Sequence, residues 1–292
     1  METQIIPSMR VEPLRIRLVW GQAFVLGGLL LWLYLPTLTR LAAQWWHDPN
    51  FSHGFFVPLF AAFALWQERS RLEGVARKPS WWGVMFLALG LGLLVLGQVG
   101  AELFLSRFSL LLVLAGLTIL FLGWAFFRAI LFPLAFLVMM IPIPTIVFNQ
   151  ITFPLQLLAS KMATAILQAL GVPVLRQGNV IFLPLIALQV ADACSGIRSL
   201  MSLTTLAIIY GYLMEQRIWV KVLLALASLP IAVAANSLRI VGTGLLVQYW
   251  DLDKAQGFFH EFQGWLMFVA SLVMLYLLHK AVQMVWPQGE LE

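Results

Sequence analysis

The sequence predicts an all-α polytopic membrane protein, with about eight transmembrane helices, an outer amphipathic helix and a small β-hairpin region. Three observations carry that prediction. Of 292 residues, 61% are hydrophobic and 11% charged, where a soluble domain is about half apolar and about a quarter charged. Apolar runs recur along the chain at lengths near the roughly 20 residues that cross a hydrocarbon layer of about 30 Å. Basic residues gather between the runs in an alternating bias that sets an orientation. With no repeat, linker or second soluble region, residues 1–292 read as a single transmembrane domain.

In order, the runs are Leu18–Leu38, Gly54–Trp66, Trp81–Gly100, Phe108–Gly123, Ala129–Phe148, Gly196–Met214, Trp219–Leu238 and Phe262–Val282. The first is longer than a signal-peptide core and lacks a small-residue cleavage site, so it reads as a retained anchor. The second is short and borrows residues from Phe51 onward. An inside N-terminus places eleven basic residues in the cytoplasm, including the run Arg69 to Lys78, and leaves seven outside. That split puts both termini inside. The formal charge of +5 is then explained by basic loops facing an anionic inner leaflet, with no nucleic-acid partner. The pairs Trp45-Trp46 and Trp81-Trp82, with Trp250, read as an aromatic belt at span ends. Arg107 and Glu102 read as a local pair or as snorkelling side chains.

The longest outer connection, residues 149–195, carries structure of its own. After Pro154, the residues Gln156, Ser160, Thr164 and Gln168 recur every four positions on an otherwise apolar segment. One polar stripe on an apolar helix suits the membrane interface or the wall of a wet cavity. Gly171 and Pro173 stop this helix. Val172–Leu175 and Val180–Leu183 flank Arg176-Gln177-Gly178-Asn179 and read as a hairpin with a glycine-containing turn. A third extended run, Ile186–Ala191, leads into Asp192-Ala193-Cys194-Ser195-Gly196. The Ile141-Pro142-Ile143-Pro144 run marks a helix kink.

Polar residues near or inside spans are costly, so each needs a reason. Cys194, Arg239 and His260 stand out, because the topology brings all three to the outer face. Cys194 immediately precedes the sixth span; Arg239 is 20 residues past Trp219, a rise of about 30 Å; His260 precedes the eighth span. Cys194 is the chain's one cysteine, which leaves no internal disulfide and no multi-cysteine zinc site. A helix start capped by Ser195 or Asp192, with Arg198 a turn further on, stabilises a thiolate; equally, a small cysteine packs between spans. His260 suits a base that deprotonates the thiol and then an acid for a leaving amine, or an interfacial polar residue. Arg239, within Asn236-Ser237-Leu238-Arg239-Ile240, suits stabilisation of an oxyanion or a substrate carboxylate, or an ion pair with Asp192, Asp251 or Asp253. His47, Asp48, His53 and His260 match no compact metal-ligand spacing, so neither a metal nor another cofactor is expected.

Together, Ala193-Cys194-Ser195-Gly196-Ile197-Arg198-Ser199, Asn236-Ser237-Leu238-Arg239-Ile240 and the later His260 resemble the signature blocks of the exosortase/archaeosortase family. Phe51-Ser52-His53-Gly54-Phe55 and the Arg176-Gly178-Asn179 region resemble it too, and the likeness covers most of the chain. The resemblance implies a multi-pass cysteine protease-transpeptidase of the bacterial inner membrane with its site on the periplasmic face. It implies Cys194 as nucleophile, Arg239 as electrostatic partner and His260 as general acid/base, with Arg198, Asn236, Ser195 and His53 supporting or binding substrate. Implied partners are membrane-anchored proteins with a C-terminal sorting tail of the PEP-CTERM type and an amine acceptor of unknown identity, in exopolysaccharide and biofilm systems. Two rival readings come from other classes: a multi-span transporter, against which no inverted repeat is visible, and a membrane acyltransferase using His260 with Cys194 merely packed.

Overall fold

The computed structural model describes residues 12–190, 196–249 and 258–287. They form helices and one three-stranded antiparallel sheet, and the molecule is a multi-span α-helical membrane protein. Five helices are long and apolar enough to cross a membrane: α1 (Glu12–His47), α4 (Trp82–Val99), α5 (Leu103–Phe121), α10 (Ile218–Tyr249) and α11 (Phe258–Val285). A sixth span results if a bent pair counts as one, so the eight apolar runs do not all become full-length helices. The second run supplies only the 12-residue α2 (Phe56–Gln67), and Pro49–Phe55 before it winds as a 3-10 helix. The fifth run breaks at Ile141–Pro144. Ahead of the break lie α7 (Leu131–Phe136) and a 3-10 turn, Leu137–Met140; beyond it, α8 (Thr145–Ala169) departs at 84°. The two prolines remove backbone donors and fix φ, so the predicted kink is a full corner. Short α3 (Arg69–Glu73) and α6 (Trp124–Ala129) lie in connections.

Helices α4 and α5 form a tight hairpin because small residues line the seam. Gly83, Gly90 and Gly97 recur every seven residues on α4 and meet α5. A Cβ at Gly90 would sit 2.8 Å from Val113 Cγ2, and one at Gly116 would sit 2.8 Å from the Leu87 nitrogen. Lipid supplies no hydrophobic drive between helices, so close backbone approach and dispersion hold such a pair.

Helices α9 (Gly196–Met214) and α10 run antiparallel. Gly211 lies against Lys221, Thr204 Oγ1 is 2.8 Å from Ser228 Oγ, and Leu200 shares a cavity with Ala232. Partner numbers on α10 rise one for one as α9 is followed toward its start, so Gly196 falls opposite Asn236. Helix α11 packs along α10, with Leu224, Leu203 and Leu275 buried between the three.

The polar stripe of α8 docks the hairpin through Gln156, Ser160 and Gln168, and Gln156 also lines a small cavity. Ser160 Oγ donates to the Gly178 carbonyl at 3.0 Å, Asn179 Nδ2 donates to Gln156 Oε1 at 3.2 Å, and Gln168 Nε2 donates to the Val174 carbonyl at 3.4 Å. The strands β1 (Leu175–Gln177), β2 (Val180–Phe182) and β3 (Ala187–Gln189) are shorter than the extended runs. Gln177 pairs with Val180, so the turn is the two residues Gly178-Asn179. Gly178 takes φ +64°, as the first central position of a type II′ turn requires. Ile181 and Leu167 are fully buried where the hairpin, α8 and α10 meet.

Two further expectations change. Glu102 attracts Arg107 only through space, without a close ion pair, and Arg107 does not snorkel. It is 3% exposed and has no ion pair among the described residues, because Glu102 is turned to cap α5, accepting from the Leu105 N–H at 2.7 Å. Trp45 leaves the aromatic belt: it is buried, and its Nε1–H donates to the Met140 carbonyl at 2.9 Å. Trp46, Trp81 and Trp82 remain exposed as a belt requires; Trp250 lies outside the described residues.

Candidate active site

The site residues are carried by three helices. Helix α10 continues past Arg239 to Tyr249, so Arg239 projects from an unbroken helix rather than from a span end. Its own carbonyl accepts from Thr243 Oγ1 at 3.0 Å. The guanidinium is half-buried and lies against α11 at Gly264: a Cβ there would stand 3.5 Å from Arg239 Cζ and Nη2. That is ordinary contact distance, so the seat has room for a methyl group at residue 264 and not for a larger side chain. His260 occupies the first turn of α11 rather than the loop before it, four residues, or about 6 Å of helix rise, ahead of Gly264.

Asn236 is 9% exposed, one turn before Arg239 on α10. With Thr152, Leu155 and Gln156 of α8 and Leu200 of α9 it lines a cavity of about 20 Å³, enough for about one water molecule and far too little for a peptide. This places the start of α9, the Asn236–Arg239 segment of α10 and the polar face of α8 at one end of the bundle. Cys194 and Ser195 lie outside the described residues, as do Asp192, Asp251 and Asp253. Of Arg198 and His260 the helical positions alone are described.

His53 lies on the 3-10 helix Pro49–Phe55, which packs against α9, while its own hydrogen bond goes elsewhere. It is 9% exposed, and its Nε2 lies 3.2 Å from the Met139 carbonyl. Burial lowers its pKa against the opposing pull of that carbonyl. Beside it, Gly54 abuts the Trp45 indole so closely that a Cβ would overlap the ring. His53 and Trp45 thus contact consecutive carbonyls, of Met139 and Met140, ahead of the corner from which α8 departs. Among the described residues no three His, Cys, Asp or Glu side chains gather as metal ligands.

The chain matches the family described as transmembrane exosortase (Exosortase_EpsH) over residues 45–277, a span that includes all three signature blocks. It belongs to the transmembrane exosortase family. No curated protein and no solved structure matches the chain. In this exosortase the matched region begins at Trp45, at the end of α1, and ends within α11, so it takes in the α8–hairpin unit together with α9, α10 and α11.

Sequence reasoning passed over a second polar assembly at the opposite end of these helices. Glu215, its side chain wholly buried, accepts from Arg217 Nη2 at 3.2 Å and lies 3.3 Å from His279 Nε2. It also accepts from the backbone N–H groups of Gln216 and Arg217. His279 Nδ1 is 2.7 Å from the Tyr210 hydroxyl, and Arg217 Nη1 donates to the Trp286 carbonyl. Burial pushes the Glu215 carboxyl up, but these hydrogen bonds outweigh it and hold the group at about 2. The assembly ties the α9–α10 connection to the end of α11. Its signal in the sequence is His279, a titratable residue inside an otherwise apolar run.

Proposed function

We propose that this exosortase is a membrane-embedded cysteine protease-transpeptidase that removes the C-terminal sorting tail of PEP-CTERM-type proteins and passes the new C-terminus to an amine or to water. The observation that carries the proposal is the seating of the Arg239 guanidinium on α11 one turn from His260, at the end of the bundle where α9 begins two residues after Cys194. The charge bias assigns this end to the periplasmic side of a bacterial inner membrane, with both termini cytoplasmic.

In the proposed reaction the Cys194 thiol gives its proton to His260, and the thiolate attacks the scissile carbonyl carbon. Charge collects on the carbonyl oxygen, where a guanidinium that does not deprotonate provides a fixed positive partner. As the C–N bond breaks, His260 returns the proton to the departing amine, and the tail leaves with a new N-terminus. The acyl part stays on Cys194 as a thioester. An incoming amine, losing its proton to His260, attacks that carbonyl and releases the thiolate; water in its place gives hydrolysis. Sorting of substrates in exopolysaccharide systems is the setting the family resemblance supplies.

The test is co-expression with a tagged tail-bearing substrate. Wild type should yield a shortened substrate whose mass fixes the cut, and Cys194→Ala should yield only full-length substrate while remaining inserted at wild-type levels. Equal shortening in both strains would remove the nucleophile assignment.

A further inference from the structure

A second site lies away from α9–α11, between α1 and the α4–α5 hairpin. Thr37 and Arg40 of α1, Gln98 of α4, and Ser106 and Arg107 of α5 line a cavity of about 310 Å³, at the lower edge of the roughly 300–1,000 Å³ range of small-molecule sites. Arg107 is 97% removed from solvent, and its Nε finds no hydrogen-bond partner among the described residues. A buried cation without a hydrogen-bonded partner is costly; Glu102 attracts this one only through space, its carboxylate being bonded to the Leu105 N–H. Ser106 Oγ is likewise committed, donating to the Glu102 carbonyl. Arg40 and Arg107 against Glu102 leave one positive charge in excess. The same elements present bare apolar surface beside the cavity: Leu35, Val99 and Leu103 are 48%, 83% and 43% exposed.

We infer that this cavity binds the phosphate headgroup of an anionic phospholipid, with its acyl chains along the exposed apolar faces of α1 and α4. The ligand must satisfy two arginines at once, which a phosphate oxyanion does with charge-assisted hydrogen bonds. It must also sit beside lipid-facing leucine and valine, which favours a headgroup carrying its own hydrocarbon over a free anion. Arg107, buried at the base of the cavity, sets the depth of the headgroup; exposed Arg40 closes over it at the mouth. The site involves none of Cys194, Arg239 and His260, so it stands whatever reaction they perform.

Native mass spectrometry of the full chain in mild detergent tests this, titrated separately with a phosphatidylglycerol and with a phosphatidylcholine of the same acyl chains. The expected result is saturable phosphatidylglycerol binding that Arg40→Gln weakens about tenfold and Arg107→Gln by at least as much, with phosphatidylcholine much weaker throughout. Arg40 is exposed, so Arg40→Gln reports binding without risk to folding. If Arg107→Gln does not fold, Arg107→Lys, which keeps the charge and loses the fork, should lower phosphatidylglycerol binding by a smaller factor. Equal binding of the two lipids, or phosphatidylglycerol binding unchanged in Arg40→Gln and in the Arg107 variant, would overturn the assignment. Saturable binding of inorganic phosphate that displaces the lipid and depends on both arginines would assign the cavity to the free anion and overturn the lipid identity.

Discussion

The Arg239 guanidinium rests against the bare backbone of Gly264 on α11. The contact gives a graded test. Gly264→Ala introduces a Cβ at ordinary contact distance from the guanidinium and should leave tail cleavage within about twofold of wild type, while Gly264→Leu must displace the group and should cost at least about tenfold in rate, since one well-placed oxyanion donor is worth 10²–10³. Single-turnover cleavage rates of the two variants decide it; a Gly264→Leu enzyme as fast as wild type would detach Arg239 from the site. Arg239→Lys keeps the charge but not the planar fork and should show a large loss of rate; near-normal kinetics would recast Arg239 as a point charge or a structural part. At the far end, Glu215 has its pKa held near 2, below its ordinary 4.5. A depressed carboxyl stabilises the fold fully above its unfolded value and loses that contribution as pH falls through the folded one. The shift corresponds to about 3 kcal/mol, so Glu215→Gln should unfold several degrees earlier than wild type at pH 7, with the gap closing between pH 4.5 and 2 in detergent melts.

Among the elements, α8 and its hairpin divide into what periodicity shows and what it cannot. The four-residue recurrence of Gln156, Ser160, Thr164 and Gln168 revealed a helix with one polar face, but not what covers it. Its partner is the main chain of the hairpin, at Gly178 and Val174, and backbone acceptors leave no trace in side-chain pattern. The turn was readable within Arg176-Gln177-Gly178-Asn179, and the strand register narrows it to Gly178-Asn179. Replacing Gly178 with alanine puts a side chain at φ +64° and should destabilise the unit by about 1–3 kcal/mol, seen as faster amide exchange in β1 and β2; unchanged exchange would show the turn relaxing freely. The seam of Gly83, Gly90 and Gly97 shows only in the packing against α5, since glycines in an apolar run carry no polarity signal. Gly90→Leu would drive a branched side chain into Val113 and should lower the yield of folded protein sharply.

At the scale of the molecule, composition alone established a multi-span helical protein, because no soluble core accommodates 61% apolar residues. Span count was less readable, since hydropathy registers apolar runs and not whether prolines break them; Pro142 and Pro144 turn one run into a corner. The orientation rests on basic residues and has a direct check. In a Cys194→Ala background, Gln177→Cys on the hairpin should react with an impermeant maleimide in intact cells, and Arg71→Cys only after the membrane is opened; the reverse pattern would invert the topology. In the proposed reaction the Cys194 sulfur, two residues before α9, becomes acylated. Acid-quenching the purified enzyme with a tail-bearing substrate and weighing its peptides measures that step alone. The peptide containing Cys194 should gain the mass of the substrate's acyl portion and lose it on treatment with hydroxylamine; substrate cut at full rate with that peptide never modified would contradict the account.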